Sequence, residues 1–363
     1  MMSLRLFLLL WVLPALGFAK QNSAVVGTPF EQHTSLAGTG YTQAQLDALT
    51  THLTENLQTT GLLILKDGKV LYEYGNLTEV SYLASARKSV MAMLYGKHVE
   101  NGTIDLQETI GAVGIEEKDG LLPIEKTATV DHIITARSGV FHRPANGGYD
   151  KDNVLPRGSV EPGTYFLYNN WDYNVAGAIL EIKTGHSQYE ELEQQLAIPL
   201  GFQDWSLGAQ KKNYRRSRSQ YPAPHIYLST RDMAKLGQLM LQEGEWNGQQ
   251  LISREWIKKI TTTVTSVDTV NARLGITARY PHQLSYGYMW WLVESLRDHP
   301  AMEGAYSATG WGGQFITVIP KLNMVIAHKY KVPTLVNWGL VPGGVDNYDY
   351  WELVYAIVSG CEF

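Results

Sequence analysis

Leu62-Leu63-Ile64-Leu65-Lys66-Asp67-Gly68-Lys69-Val70-Leu71-Tyr72-Glu73-Tyr74 sets two apolar, strand-favouring runs on either side of Asp67-Gly68. Asp-Gly supplies the backbone angles of a two-residue hairpin, so this stretch predicts two antiparallel strands and the start of a sheet. Upstream, Thr42 and Gln45 have the spacing of a capping box, and Leu46, Leu49, Leu53 and Leu57 recur at helical intervals before Gly61. Downstream, residues 86–300 read mainly as helical patterns joined by Gly- and Pro-containing loops, among them Met233 to Glu243 and Ser253 to Ile260. Strand signals return with Gln314 to Ile319, a turn at Pro320 to Asn323, and Met324 to Tyr330. A last helix is expected from Asn347 to Ser359, with Gly360 as its stop. Strands at both chain ends predict an α+β fold: an antiparallel sheet formed by both ends with flanking helices, and an inserted, mainly helical subdomain within about 90–300.

Composition agrees with a packed enzyme-sized body. The chain has 363 residues, of which 44% are hydrophobic and 18% charged, enough to bury a large core. Its net charge of -5 gives no electrostatic reason to expect nucleic acid or an anionic membrane as a partner. Residues 1–19 read as a signal peptide: Arg5 is the basic start, Leu6 to Leu16 the apolar run, and Gly17 and Ala19 small residues before a cut near Lys20. A membrane anchor is the alternative, for which the run is short of the roughly 20 residues of a bilayer span. The expected mature protein, residues 20–363, is exported and has no stable membrane span. Cys361 is the only cysteine, so no intramolecular disulfide can form, which points to a bacterial periplasm or the medium.

Three motifs carry chemistry. Ala84-Ser85-Ala86-Arg87-Lys88-Ser89 precedes the helical run Val90 to Val99. If Ser85 opens that helix, Lys88 falls on the same face one turn later, the relation a lysine-activated serine nucleophile needs. The plain alternative is an N-capping serine followed by a solvated lysine. Tyr168-Asn169-Asn170 offers a phenol that could relay a proton and a carboxamide that could hold a lysine or a substrate carbonyl. Ala308-Thr309-Gly310-Trp311-Gly312-Gly313-Gln314 is a glycine-rich approach to a strand, suited to backbone N–H groups that meet a developing oxyanion.

In this order, the three motifs resemble the serine beta-lactamase and penicillin-binding superfamily, in particular its class C-like esterases and amide hydrolases of the 6-aminohexanoate-dimer hydrolase type. Thr135 to Val140, Leu228 to Met233 and Ser285 to Trp291 add to the likeness, which covers nearly the whole mature chain. The resemblance implies a single catalytic domain of beta-lactamase/transpeptidase-like fold that uses no cofactor and no metal. It also implies Ser85 as nucleophile, Lys88 and Tyr168 as the proton-shuttling pair, and Asn170 as a contact to substrate and lysine. Thr309, Gly310 and Trp311 would line the substrate and oxyanion site. Where penicillin-recognising members carry K-T-G, this chain has Ala308-Thr309-Gly310, so the cation for a substrate carboxylate is missing. The resemblance therefore implies a small-molecule ester or amide, or a peptide-like substrate. A D-amino-acid peptidase or weak beta-lactamase is the second reading, and a catalytically silent binding or scaffold protein is the reading from another class.

Other signals carry less. Gly185-His186-Ser187-Gln188-Tyr189 lacks the last glycine of a nucleophile elbow and follows a helical pattern, and Ser187 with Glu190 reads as a capping box. The ten histidines have no metal-binding spacing. Lys211, Lys212, Arg215, Arg216 and Arg218 read as a solvated basic loop or as a collar for an anionic substrate. Trp171-Tyr173, Trp290-Trp291 and Trp311 read equally as core or as an aromatic substrate wall.

Overall fold

The computed structural model of the chain describes residues 27–148, 150–277, 280–333 and 342–361. The signal-peptide reading of residues 1–19 lies outside them. The expected hairpin forms: β1 (Gly61–Lys66) and β2 (Lys69–Gly75) are antiparallel, with Asp67 at φ 54° and Gly68 at φ 76°. Five further strands complete one antiparallel sheet: β3 (His282–Tyr286), β4 (Trp291–Leu296), β5 (Tyr306–Gly310), β6 (Gln314–Ile319) and β7 (Met324–Lys329). Their order across it is β2-β1-β7-β6-β5-β4-β3, so the first hairpin joins the last strand by pairing Gly61 with Lys329.

Both faces are covered, which is why β6 and β7 are buried along their whole length. On one face lie the terminal helices, α1 (Gln43–Asn56) and the C-terminal helix Asn347–Val358. Tyr350 stacks on Phe315 with ring centroids 3.6 Å apart, and its hydroxyl meets Thr317 Oγ1 at 2.5 Å. Tyr41 ties the two helices together by donating to Ile357 O at 2.8 Å. On the other face the helix Thr230–Leu241 crosses β1, β6 and β7. It comes so close at Gly237 that a Cβ there would lie 2.4 Å from Val325 Cγ1.

The insertion between the two ends holds α2 (Ala86–Glu100) and α3 (Asn170–Thr184), joined by a hydrogen bond from the Tyr95 hydroxyl to Ala176 O at 2.6 Å. The capping boxes at Thr42/Gln45 and Ser187/Glu190 are both formed, and Ser187 opens the short helix Gln188–Leu192 instead of a nucleophile elbow.

Two expectations need correcting. Residues 282–296, placed in the helical stretch, are strands β3 and β4. Nearly every side chain of His282–Tyr286 is buried, and burial on both faces removes the two-residue alternation that would have identified it. The basic segment is not all loop either: Lys211–Asn213 pairs with Ala223–His225 in a small two-stranded sheet.

Candidate active site

The chain turns sharply into α2. Ala84 is held at φ 48°, a left-handed conformation that costs a non-glycine residue roughly 1–2 kcal/mol. The turn lifts Ser85 to the head of the helix, where its side chain makes no capping bond. The hydroxyl is thereby left for other work, and the capping-serine reading fails. Gly310, at the end of β5, passes directly over this turn: a Cβ on it would lie 2.4 Å from Leu83 O and 3.0 Å from Ala86 N. Both are backbone atoms of the segment that carries Ser85, so neither can swing aside. Gly310→Ala is expected to lower stability by about 1–3 kcal/mol and kcat/KM by about 100-fold, the penalty of a displacement near 1 Å. A variant with the kinetics and melting temperature of the wild type would show that the close approach is idle.

Lys88, one turn on, is 1% exposed and so is not a solvated lysine. Its Nζ lies between two rings, 3.8 Å from the centroid of Tyr168 and 3.9 Å from that of Tyr173. Among the described residues it has no hydrogen-bond partner. Burial, and then the neighbouring Arg87 guanidinium, push its pKa well below the usual lysine range, with Asp172 acting the other way. The ring faces favour an ammonium by about 2 kcal/mol or more when desolvated, but losing the hydration of a charge costs several kcal/mol. Desolvation outweighs the rings, so the balance moves toward the neutral amine. Asp172 does not reverse this, because burial pushes its own pKa well up and its Oδ1 accepts from Ser138 Oγ at 2.7 Å.

Tyr168 lines the same cleft as Ser85, with its ring centroid 5.2 Å from that of Trp291. Burial pushes the phenol up to about 12, against the downward pull of Ser85, Arg87 and Trp291. Beneath it, the Tyr173 hydroxyl meets that of Tyr286 at 2.9 Å. Ser89 Oγ donates to Met289 O at 2.6 Å, pinning α2 to the turn between β3 and β4.

Ser85 and Tyr168 open into a cleft of about 560 Å³ that Thr309, Gly310 and Trp311 also line. Thr309 Oγ1 is buried there without a partner among the described residues. The outer wall comes from Leu274, Ile276, Tyr280 and His282 and from residues 343–348. Large apolar side chains stand on its rim beside the polar Asp346 and Asn347: Trp311 is 55%, Tyr348 42% and Leu274 40% exposed. His282, also in the wall, is kept neutral by burial, which pushes it down to about 4.

The structure thus brings Ser85, Lys88, Tyr168, Thr309, Gly310 and Trp311 together. Asn170 stands apart: its Nδ2 donates to Gly147 O at 2.5 Å, its Oδ1 is buried without a partner among the described residues, and it is not among the cleft residues. Trp171 and Trp290 are core, fully buried, with the Trp171 indole donating to Glu117 at 2.8 Å, whereas Trp291 and Trp311 form cleft wall. Ala308 is buried in β5, opposite Ile316. Sequence reasoning missed Arg87, Asp172 and the wall at 343–348, and gave Tyr173 only as part of an aromatic cluster. Asp172 and Tyr173 follow Tyr168-Asn169-Asn170 directly on α3 and could have been found there. Nothing in the sequence marks the wall.

Comparison with known proteins places this architecture. The Beta-lactamase family model matches residues 46–328. An uncharacterized protein of Alkalihalophilus pseudofirmus is 23% identical over 270 residues, which cover 69% of this chain and 73% of that one. Similar solved structures include a candidate 6-aminohexanoate-dimer hydrolase from Bacillus anthracis, with TM-score 0.64, 21% identity, and 93% of this chain and 88% of that chain covered. A beta-lactamase from Mycobacterium bovis superposes with TM-score 0.56 at 17% identity, covering 86% of this chain and 99% of its own. EstCE1, a hydrolase with promiscuous acyltransferase activity, gives TM-score 0.60 at 14% identity, with 88% and 100% covered. At these identities the likeness is one of fold.

Proposed function

Because the chain belongs to the Beta-lactamase family, we propose that it cleaves uncharged esters or amides through an acyl-enzyme on Ser85. That it is a serine hydrolase follows from the family; the residues and the substrate are the proposal. The observation that carries it is the convergence of Ser85 and Tyr168 on one cleft, with Lys88, which has no hydrogen-bond partner among the described residues, packed on the phenol ring.

In the first half-reaction Ser85 Oγ attacks the acyl carbon while its proton passes to Lys88 Nζ, with Tyr168 as the relay. The N–H groups of Ser85 and Trp311 stabilise the oxyanion of the tetrahedral intermediate. The leaving alcohol or amine departs with the proton returned through Tyr168. Water then adds to the acyl-enzyme by the same path, releasing the acid and restoring the Ser85 hydroxyl. Apo hydrogen bonds of this kind tighten when substrate binds, so the packing of Lys88 on the ring face is compatible with the shuttle.

Two features favour a neutral, apolar substrate: Ala308 in place of a strand cation, and the exposed apolar side chains of Leu274, Trp311 and Tyr348 on the rim. The similar structures described as a 6-aminohexanoate-dimer hydrolase and as a hydrolase with promiscuous acyltransferase activity support acyl transfer from an amide or ester, without bearing on the charge of the substrate. The test is a p-nitrophenyl ester series from acetyl to octanoyl, run beside a penicillin panel. kcat/KM is expected to rise by up to about fourfold per methylene while the chain lies in the cleft, at roughly 0.8 kcal/mol for each buried CH2, with penicillins turned over slowly. Fast penicillin turnover with inert esters would replace this reading by the penicillin-recognising one, and inertness to both would point to a silent binding protein.

A further inference from the structure

Arg87 is an anomaly in α2. Its side chain is 2% exposed, and among the described residues it makes one side-chain hydrogen bond, a long one from Nη2 to Asn174 Oδ1 at 3.4 Å. Nε and Nη1 are buried with no partner among the described residues, and no carboxylate lies within ion-pair distance. An unpaired, partly unsatisfied guanidinium is costly to bury, and an apolar side chain of similar volume would be cheaper. Such a residue is expected where its charge serves something next to it. Lys88 follows it on α2, and both side chains reach neighbouring residues of α3: the guanidinium meets Asn174 and the Lys88 amine lies over the ring of Tyr173.

We propose that Arg87 is a positioning residue of the Ser85 machinery, a fixed buried positive charge that keeps Lys88 neutral and ready to take a proton. The proposal rests on reading Ser85 and Lys88 as nucleophile and base. Arg87 is the one cation that bears on both Lys88, which it disfavours as an ammonium, and Tyr168, whose phenolate it favours. With Ala308 at the strand position, a positive charge for the site comes from the helix.

The other groups around this pair leave that charge uncancelled. From α3, Asp172 is pushed by burial toward its neutral acid and bonded to Ser138, and Tyr173 is pushed up as well. From β3, Tyr286 is also pushed up. Tyr82, Tyr168 and Tyr189 face the guanidinium as neutral phenols, all raised by burial. His225, from the small sheet, is pushed down to about 3, first by burial and then by Arg87 itself, so it adds no second charge.

The test is the rate of Ser85 labelling by a fluorophosphonate from pH 6 to 11, measured for wild type, Arg87→Met and Arg87→Lys. The wild-type rate should fall on an acidic limb lying well below the ordinary lysine value of about 10.4. In Arg87→Met that limb should move up by at least about one unit, making labelling about tenfold slower at pH 7 while the rates converge at high pH. Arg87→Lys should stay close to wild type, and thermal melting of Arg87→Met should be no lower than wild type. If Arg87→Met does not fold, Arg87→Gln, which keeps a donor toward Asn174 without the charge, takes its place. Superimposable profiles, or a loss of the same size at every pH, would overturn the proposal in favour of a packing role. A wild type that is unlabelled at every pH would instead bring down the nucleophile reading, and this proposal with it.

Discussion

Ser85→Ala is expected to lower kcat/KM on any ester substrate by at least about 10⁴-fold, the scale on which removing a covalent nucleophile acts. The same variant should take up no fluorophosphonate by intact mass while the wild type gains one adduct. The fold should survive. Ser85 sits at the N-cap of α2 without a side-chain capping bond, so the alanine forfeits none of the roughly 1 kcal/mol that a capping serine would supply. The turn that holds the strained Ala84 is closed by the bond from Ala86 N to Leu83 O at 3.1 Å and lies under Gly310, and the substitution leaves both alone. An alanine variant with residual activity within tenfold of wild type would mean that chemistry in the cleft runs without this hydroxyl.

Lys88→Met should lower kcat/KM by about 10³-fold, the middle of the range for losing a positioned general base, and should not lower the melting temperature. Both halves follow from one fact: the amine is buried between Tyr168 and Tyr173 without a hydrogen-bond partner among the described residues. Methionine fills nearly the same volume, keeps contact with both rings and removes a polar atom that nothing satisfies. A structural lysine would behave in the opposite way, with little change in rate and a clear loss of stability. Measuring kcat/KM and the melting curve on one preparation separates the two.

The sequence carried the parts of the fold that local chemistry specifies. Asp67-Gly68 forces φ angles that only a tight hairpin accommodates, and the Thr42/Gln45 and Ser187/Glu190 boxes satisfy helix-end N–H groups within a few residues. β3 and β4 escaped because their pattern depends on what covers each face. Once both faces are buried, Trp290, Trp291 and Leu292 look the same in a strand as in a buried helix. Asn170 was nominated by its neighbour Tyr168, but the backbone turn into α3 directs its amide to Gly147 instead.

By itself, the sequence determined the order of the chemistry: a serine, a lysine one helical turn later, a tyrosine far downstream, and a glycine-rich strand with alanine where a cation could stand. Helical periodicity alone ties Ser85 to Lys88, because three residues make nearly one turn. The tertiary structure decided what those groups can do. It buried Lys88 away from water, laid the ring of Tyr168 against it, set Arg87 on the same helix with no ion-pair partner among the described residues, and brought Trp311 and Tyr348 to one rim. Protonation and substrate fit depend on distance and dielectric in three dimensions, which residue types and spacing do not encode.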